Sequence, residues 1–182
     1  MMKRLLIVLA LVMLPACDAP WAGPTLPDGS TRLSLTLVTN EGPIGMSPNI
    51  LASTSLSQLR TEVISLPSGT NRTEAQLCQG YSGSDPCWNR QVDLPGRLYL
   101  AVITTPQCTS PTKDASAIAG HTLYYIQWVG HPQRTCGAAQ AWPSWILFSA
   151  SRSDLPSAGT LTVRLQFQGT AQGGVESQAG LT

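Results

Sequence analysis

The sequence predicts an all-β protein, an antiparallel sandwich of six or so strands, and three observations point there. Leu33–Leu37 and Thr160–Phe167 alternate apolar and polar residues with a period of two, which turns one face of each strand to a core and the other to water. Turn residues punctuate the whole chain, with 16 Gly and 14 Pro. Lys and Glu, the helix formers of exposed faces, are scarce beside Ser and Thr, and no stretch sustains a helical period or repeats another. Charged residues make up only 12% of the chain and the net charge is +1, so there is no field to steer nucleic acid, which is excluded as a partner.

The N-terminal segment has the parts of a secretory signal. Lys3 and Arg4 form a positive start, and Leu5 to Leu14 are ten consecutive apolar residues followed closely by the small Ala16. Ten helical residues cover about 15 Å, half of a ~30 Å hydrocarbon core, so the run is too short to span a membrane. Leu14-Pro15-Ala16-Cys17 resembles the lipobox of bacterial lipoproteins at three of its four positions, with Pro15 the departure. The resemblance implies that residues 1–16 are removed and that Cys17 carries diacylglycerol, with acyl chains such as palmitate. The mature protein would then be lipid-anchored at the cell membrane, facing the periplasm or the cell exterior. One acyl chain holds a protein only marginally, whereas the two or three of such a lipoprotein hold it permanently. An ordinary signal peptide cut after Ala16 or Ala19 is the alternative. Asp18, directly after the lipidated position, resembles the inner-membrane retention signal of proteobacterial lipoproteins.

Residues 17–30 follow as a tether. Three Pro and two Gly lie between Asp18 and Ser30 without periodicity, which predicts an extended, mobile segment that lifts the domain up to roughly 40 Å from the bilayer. Trp21 suits either the lipid interface or the domain edge. A single domain is expected over 31–168. Leu33, Leu35 and Leu37 share one buried face of its first strand, which stops at the Asn40-Glu41-Gly42-Pro43 turn. Ser47-Pro48 opens a short helix through Leu51 to Leu59, and Arg60 to Leu66 reads as a strand.

Leu98 to Ile103 are apolar on both faces, as in a central strand. The Pro95-Gly96 turn ahead of them, with Tyr99 three residues on, resembles the tyrosine corner of fibronectin-type and immunoglobulin-type sandwiches, although the upstream Trp of a fibronectin module is absent. Pro106 to Gly120 reads as a polar loop. Thr122 to Val129 carries the strongest β-propensity, with Leu123, Tyr125, Gln127 and Val129 on one face and Tyr124, Ile126 and Trp128 on the other. Trp145 to Phe148 and Thr160 to Phe167 complete the set. Residues 169–182, rich in Gly, Gln, Ser and Ala, are expected to fray as a disordered tail.

Four cysteines follow Cys17: Cys78, Cys87, Cys108 and Cys136. In an oxidising compartment an even number reads as two disulfides, with three connectivities open. Pairing Cys78 with Cys87 and Cys108 with Cys136 closes the shorter loops and stabilises by about 3 kcal/mol each in the chain-entropy model. No Cys-x-x-Cys spacing supports a metal site, and nothing implies a cofactor.

Catalytic residues would have to come from His121, His131, Asp85, Asp93, Asp114, Asp154, Glu62, Glu74 and the serines, and none stands in a catalytic motif. Both histidines sit in turn sequences at opposite ends of one predicted strand, about 30 Å apart at ~3.3 Å per residue. Tyr81 and Trp88, in and beside the Cys78–Cys87 loop, and Trp142 and Trp145, flanking Pro143, are the candidate binding surface. The function expected first is a membrane-tethered, non-catalytic module that binds or assembles with another envelope protein. The second is a carbohydrate- or cell-wall-binding lipoprotein using those Trp rings, and the third a hydrolase without a recognisable motif.

Overall fold

Among the described residues, nine strands form two sheets that face each other across an apolar core, and one helix covers the outside of the smaller sheet. The structure is a computed structural model that describes residues 23–41, 47–66, 92–104, 114–128, 145–169 and 173–181. The strands are β1 (Thr31–Arg32), β2 (Thr36–Glu41), β3 (Asn49–Ser53), β4 (Arg97–Ile103), β5 (Ala115–Ala119), β6 (Thr122–Trp128), β7 (Trp145–Ser151), β8 (Gly159–Gln168) and β9 (Val175–Leu181). Helix α1 spans Leu56–Ser65. One sheet has the order β1-β5-β6-β8-β9 and the other β2-β7-β4-β3.

The all-β sandwich expected from the sequence is therefore what the chain forms, with one departure in its pairing. β6 and β8 run parallel, with Leu123 opposite Val163 and Trp128 opposite Gln168. The reason is the connection. Parallel neighbours need a long crossover, and here the chain leaves β6, builds β7 in the opposite sheet and returns as β8. The other strand pairs are antiparallel.

The period-two alternation of β8 works as predicted: Leu161, Val163, Leu165 and Phe167 are buried and the residues between them are partly exposed. They meet Leu98, Leu100 and Val102 of β4 with Ile50 and Ala52 of β3 across the interface. The other face of β4 is covered as well. Tyr99, Ala101 and Ile103 pack with Leu147 under Leu56, Leu59 and Val63 of α1, so β4 is apolar on both sides because a helix forms a third layer. Ser55 accepts a hydrogen bond from the Gln58 amide at 3.4 Å, and the Asp93 carboxylate accepts one from the Leu56 amide at 3.0 Å. The helix start is thus capped from its own chain and from the segment before β4.

Five expectations are corrected. The helix lies over Leu56–Ser65, not Leu51–Leu59; β3 takes Asn49–Ser53, and no strand forms over Arg60–Leu66. The apolar spacing Leu56, Leu59, Val63 follows the helical period, and Ser55 supplies the start that Ser47 was expected to give. The leucines of the first strand do not share a buried face: Leu33 is buried beside one sheet, whereas Leu37, opposite Phe148, lies on β2, the outer strand of the other sheet, and is 56% exposed. A bulge at Val38 then changes the side that the following residues face. Part of the supposed loop 106–120 is strand β5. The supposed tail supplies β9, whose Ala179 and Leu181 are buried against the core, so the domain extends to Leu181. Its alternation escapes notice because small and polar residues carry it.

Two glycines do specific backbone work. Gly120 has φ 54° and sits with His121 in the two-residue loop between Ala119 and Thr122, where a type II′ hairpin turn requires glycine first. Gly96, with φ 70° after Pro95, makes the turn into β4. Just beyond it, the buried Tyr99 hydroxyl accepts the Leu94 amide at 2.7 Å, the backward bond that a tyrosine corner makes.

Candidate functional site

The register of the β5–β6 hairpin brings three polar side chains together. Ala115 pairs with Ile126, so Asp114 comes opposite Gln127, on the side of the sheet that Tyr125 shares. The Tyr125 hydroxyl donates to one Asp114 carboxylate oxygen at 2.7 Å, and the Trp128 amide donates to the other at 3.1 Å. Tyr125 is 3% exposed and its ring packs on Phe148 of the facing sheet, with centroids 5.3 Å apart. Phe148 in turn lies opposite the exposed Leu37 on β2. Strand register and ring packing thus link the β2 edge to the part-buried Asp114 carboxyl in one line.

Burial dominates the electrostatics of this line. It pushes the Asp114 carboxyl from 3.8 up to about 6, against the hydrogen bonds from Tyr125 and Trp128 that favour the charged form. Burial and the adjacent Asp114 charge hold the Tyr125 phenol well above 10, so it remains a neutral donor. Gln127 is 4% exposed, and its side-chain oxygen has no hydrogen-bond partner among the described residues. Buried acceptors are rarely left unpaired, so this is a polar-stressed point of the core.

What the arrangement can do is hold and release a proton near neutral pH. Both Asp114 oxygens are already committed to fixed donors. An acid–base mechanism needs a second group in hydrogen-bond reach of the reacting atoms. Among the described residues, no group of three or more His, Cys, Asp or Glu side chains is placed to hold a metal ion.

The other acids and the described histidine are dispersed. His121 is in the exposed β5–β6 turn, Asp93 caps α1, Glu62 accepts from Gln58 within the helix at 2.8 Å, and Asp154 lies in a 3-10 turn after β7. Asp85, Glu74 and His131 lie outside the described residues, as do Cys17, Cys78, Cys87, Cys108, Cys136, Tyr81, Trp88 and Trp142. Trp145 opens β7, with its backbone opposite Ile103 and Glu41; its side chain is outside the description. Asp114 was visible in the sequence as an acid without a frame. The signal for its role was the inward set Leu123, Tyr125, Gln127, once the residue facing Gln127 across the hairpin is known.

Compared with protein-family models, with curated proteins and with solved structures, the chain matches none.

Proposed function

We propose that this chain is a lipid-anchored envelope protein that acts without catalysis, as a binding or assembly module for another envelope protein. The anchor is the lipid on Cys17, and the two disulfides Cys78–Cys87 and Cys108–Cys136 brace the exported domain. The observation that supports the reading most is the outer edge of β2. It pairs with β7 on one side, no described strand pairs with its other side, and it exposes Leu37 beside Phe148. An unpaired edge with an apolar side chain is the surface to which an extended segment of a partner adds as a further strand. The commitment of both Asp114 oxygens to structural donors argues against the hydrolase reading.

The test has two arms in native cells. Cys17→Ala should move the protein from the membrane to the soluble fraction. A photoreactive side chain at Leu37 should give one discrete crosslinked species with an envelope protein, absent when the probe stands at Ser157 far along the chain. A wild-type protein that is soluble with a bare N-terminal thiol refutes the anchor; identical crosslinks from Leu37 and Ser157 refute the edge as the contact.

A further inference from the structure

The segment expected to be a free tether is partly fastened. The Thr25 amide donates to the Gln168 side-chain oxygen at 2.8 Å, and the Gln168 side-chain nitrogen donates back to the Thr25 carbonyl at 2.7 Å. A side-chain amide thus copies one rung of a β-ladder between residues 143 apart in sequence. Pro24, Leu26 and Pro27 are half-buried around the clamp. Beyond it, the Ser30 amide and hydroxyl close a turn on the Pro27 carbonyl at 3.1 and 2.6 Å, and β1 pairs with β5.

We propose that this clamp selects which end of the five-stranded sheet faces the phospholipid surface, a proposal that rests on the lipid-anchor reading above. The eight residues from Cys17 to Thr25 reach at most about 28 Å even when fully extended. β8 is itself about 30 Å long at ~3.3 Å per residue. A rigid body held by a leash shorter than itself, attached at one end, keeps that end toward the wall, because the reverse orientation drives the body into the bilayer. The end so placed carries Gln168, its register partner Trp128, and Gly173 ahead of β9. Trp128, half-buried on β6, is the residue type that favours a membrane interface.

Release of the clamp changes the exit point as well as the length. Without it the first fixed residue is Thr31, opposite Ile118 toward the Gly120 end of the sheet, the end away from Gln168. The orientation should then scramble.

The experiment uses the full lipidated chain in phosphatidylethanolamine–phosphatidylglycerol vesicles whose headgroups carry a nitroxide quencher. A fluorescent amino acid is placed at Gly173, where added side-chain atoms meet nothing within 4 Å, or at the exposed Ser157 at the opposite end. The proposal expects at least twofold stronger quenching at 173 than at 157, and a ratio near one in Gln168→Ala. Thr25→Pro, which removes the amide donor from outside the sheet, should give the same loss. Equal quenching in the wild type, or an unchanged ratio in both variants, overturns the orientation alone. A wild-type chain that does not sediment with the vesicles overturns the anchor and the orientation together.

Discussion

Replacing Asp114 by Asn removes one titration and leaves the contacts in place. The Asn oxygen accepts from the Trp128 amide, and its NH2 donates to the Tyr125 oxygen, which is free to accept. In the wild type the folded carboxyl binds its proton more tightly than the unfolded chain does, about 6 against 3.8. The stabilising contribution of that proton is complete below pH 3.8 and is lost as pH rises through about 6. At 1.36 kcal/mol per pH unit the difference corresponds to about 3 kcal/mol, and partial access of water to Asp114 brings the expected effect to about 1–3 kcal/mol. Asp114→Asn should therefore gain stability relative to wild type between pH 4 and pH 7.5. Urea unfolding across that range reads the gain directly, and melting temperatures should diverge by about 3–9 °C at roughly 3 °C per kcal/mol. The rest of the sequence is the same in both proteins, so the difference between them isolates one residue. A difference that is constant with pH refutes the argument that burial governs this carboxyl.

Four further outcomes follow from the packing. Tyr99→Phe leaves the Leu94 amide without its acceptor at the entry to β4 and should cost about 1 kcal/mol in urea unfolding. Leu59→Ala empties the centre of the contact between α1 and β4 and should cost about 2–5 kcal/mol, with loss of the helical far-ultraviolet signal if the helix detaches. Gly174→Ala places a methyl group 2.7 Å from the Leu165 carbonyl oxygen, so β9 must shift against β8 and the melting temperature should fall; an unchanged melt removes β9 from the core. Alkylation of the unfolded, unreduced protein should label none of Cys78, Cys87, Cys108 and Cys136, and label at any of them undoes the two-disulfide assignment.

Strands that alternate strongly were legible in the sequence, and those that depend on distant partners were not. β8 alternates apolar with polar residues, β6 is rich in branched and aromatic ones, and β4 is a short apolar run between turns, as a strand covered on both faces requires. β5 and β9 are built largely from Ala, Ser, Gln and Gly, and become strands because a neighbour offers an edge and a core to fill. The helix was misplaced by a few residues because Ser47-Pro48 and Ser55 offer rival starts, and the tertiary cap from Asp93, 37 residues away, decides between them. Leu37 obeys the same alternation as Leu33 and is still largely exposed, since strand period says nothing about which strand will stand at the edge of a sheet. The Asp114 site was hidden for a related reason: its three side chains are ordinary singly, and only the hairpin register makes them one cluster.

The passage of the chain through β6, β7 and β8 carries a consequence for how the domain forms and fails. The parallel seam at the centre of the larger sheet joins two strands that β7, laid between β2 and β4 on the opposite layer, separates in sequence. The two layers are thus interleaved along the chain. The domain should therefore assemble slowly, in the millisecond-to-second range of β proteins dominated by distant pairings. Once built, it should yield to force or denaturant in one step.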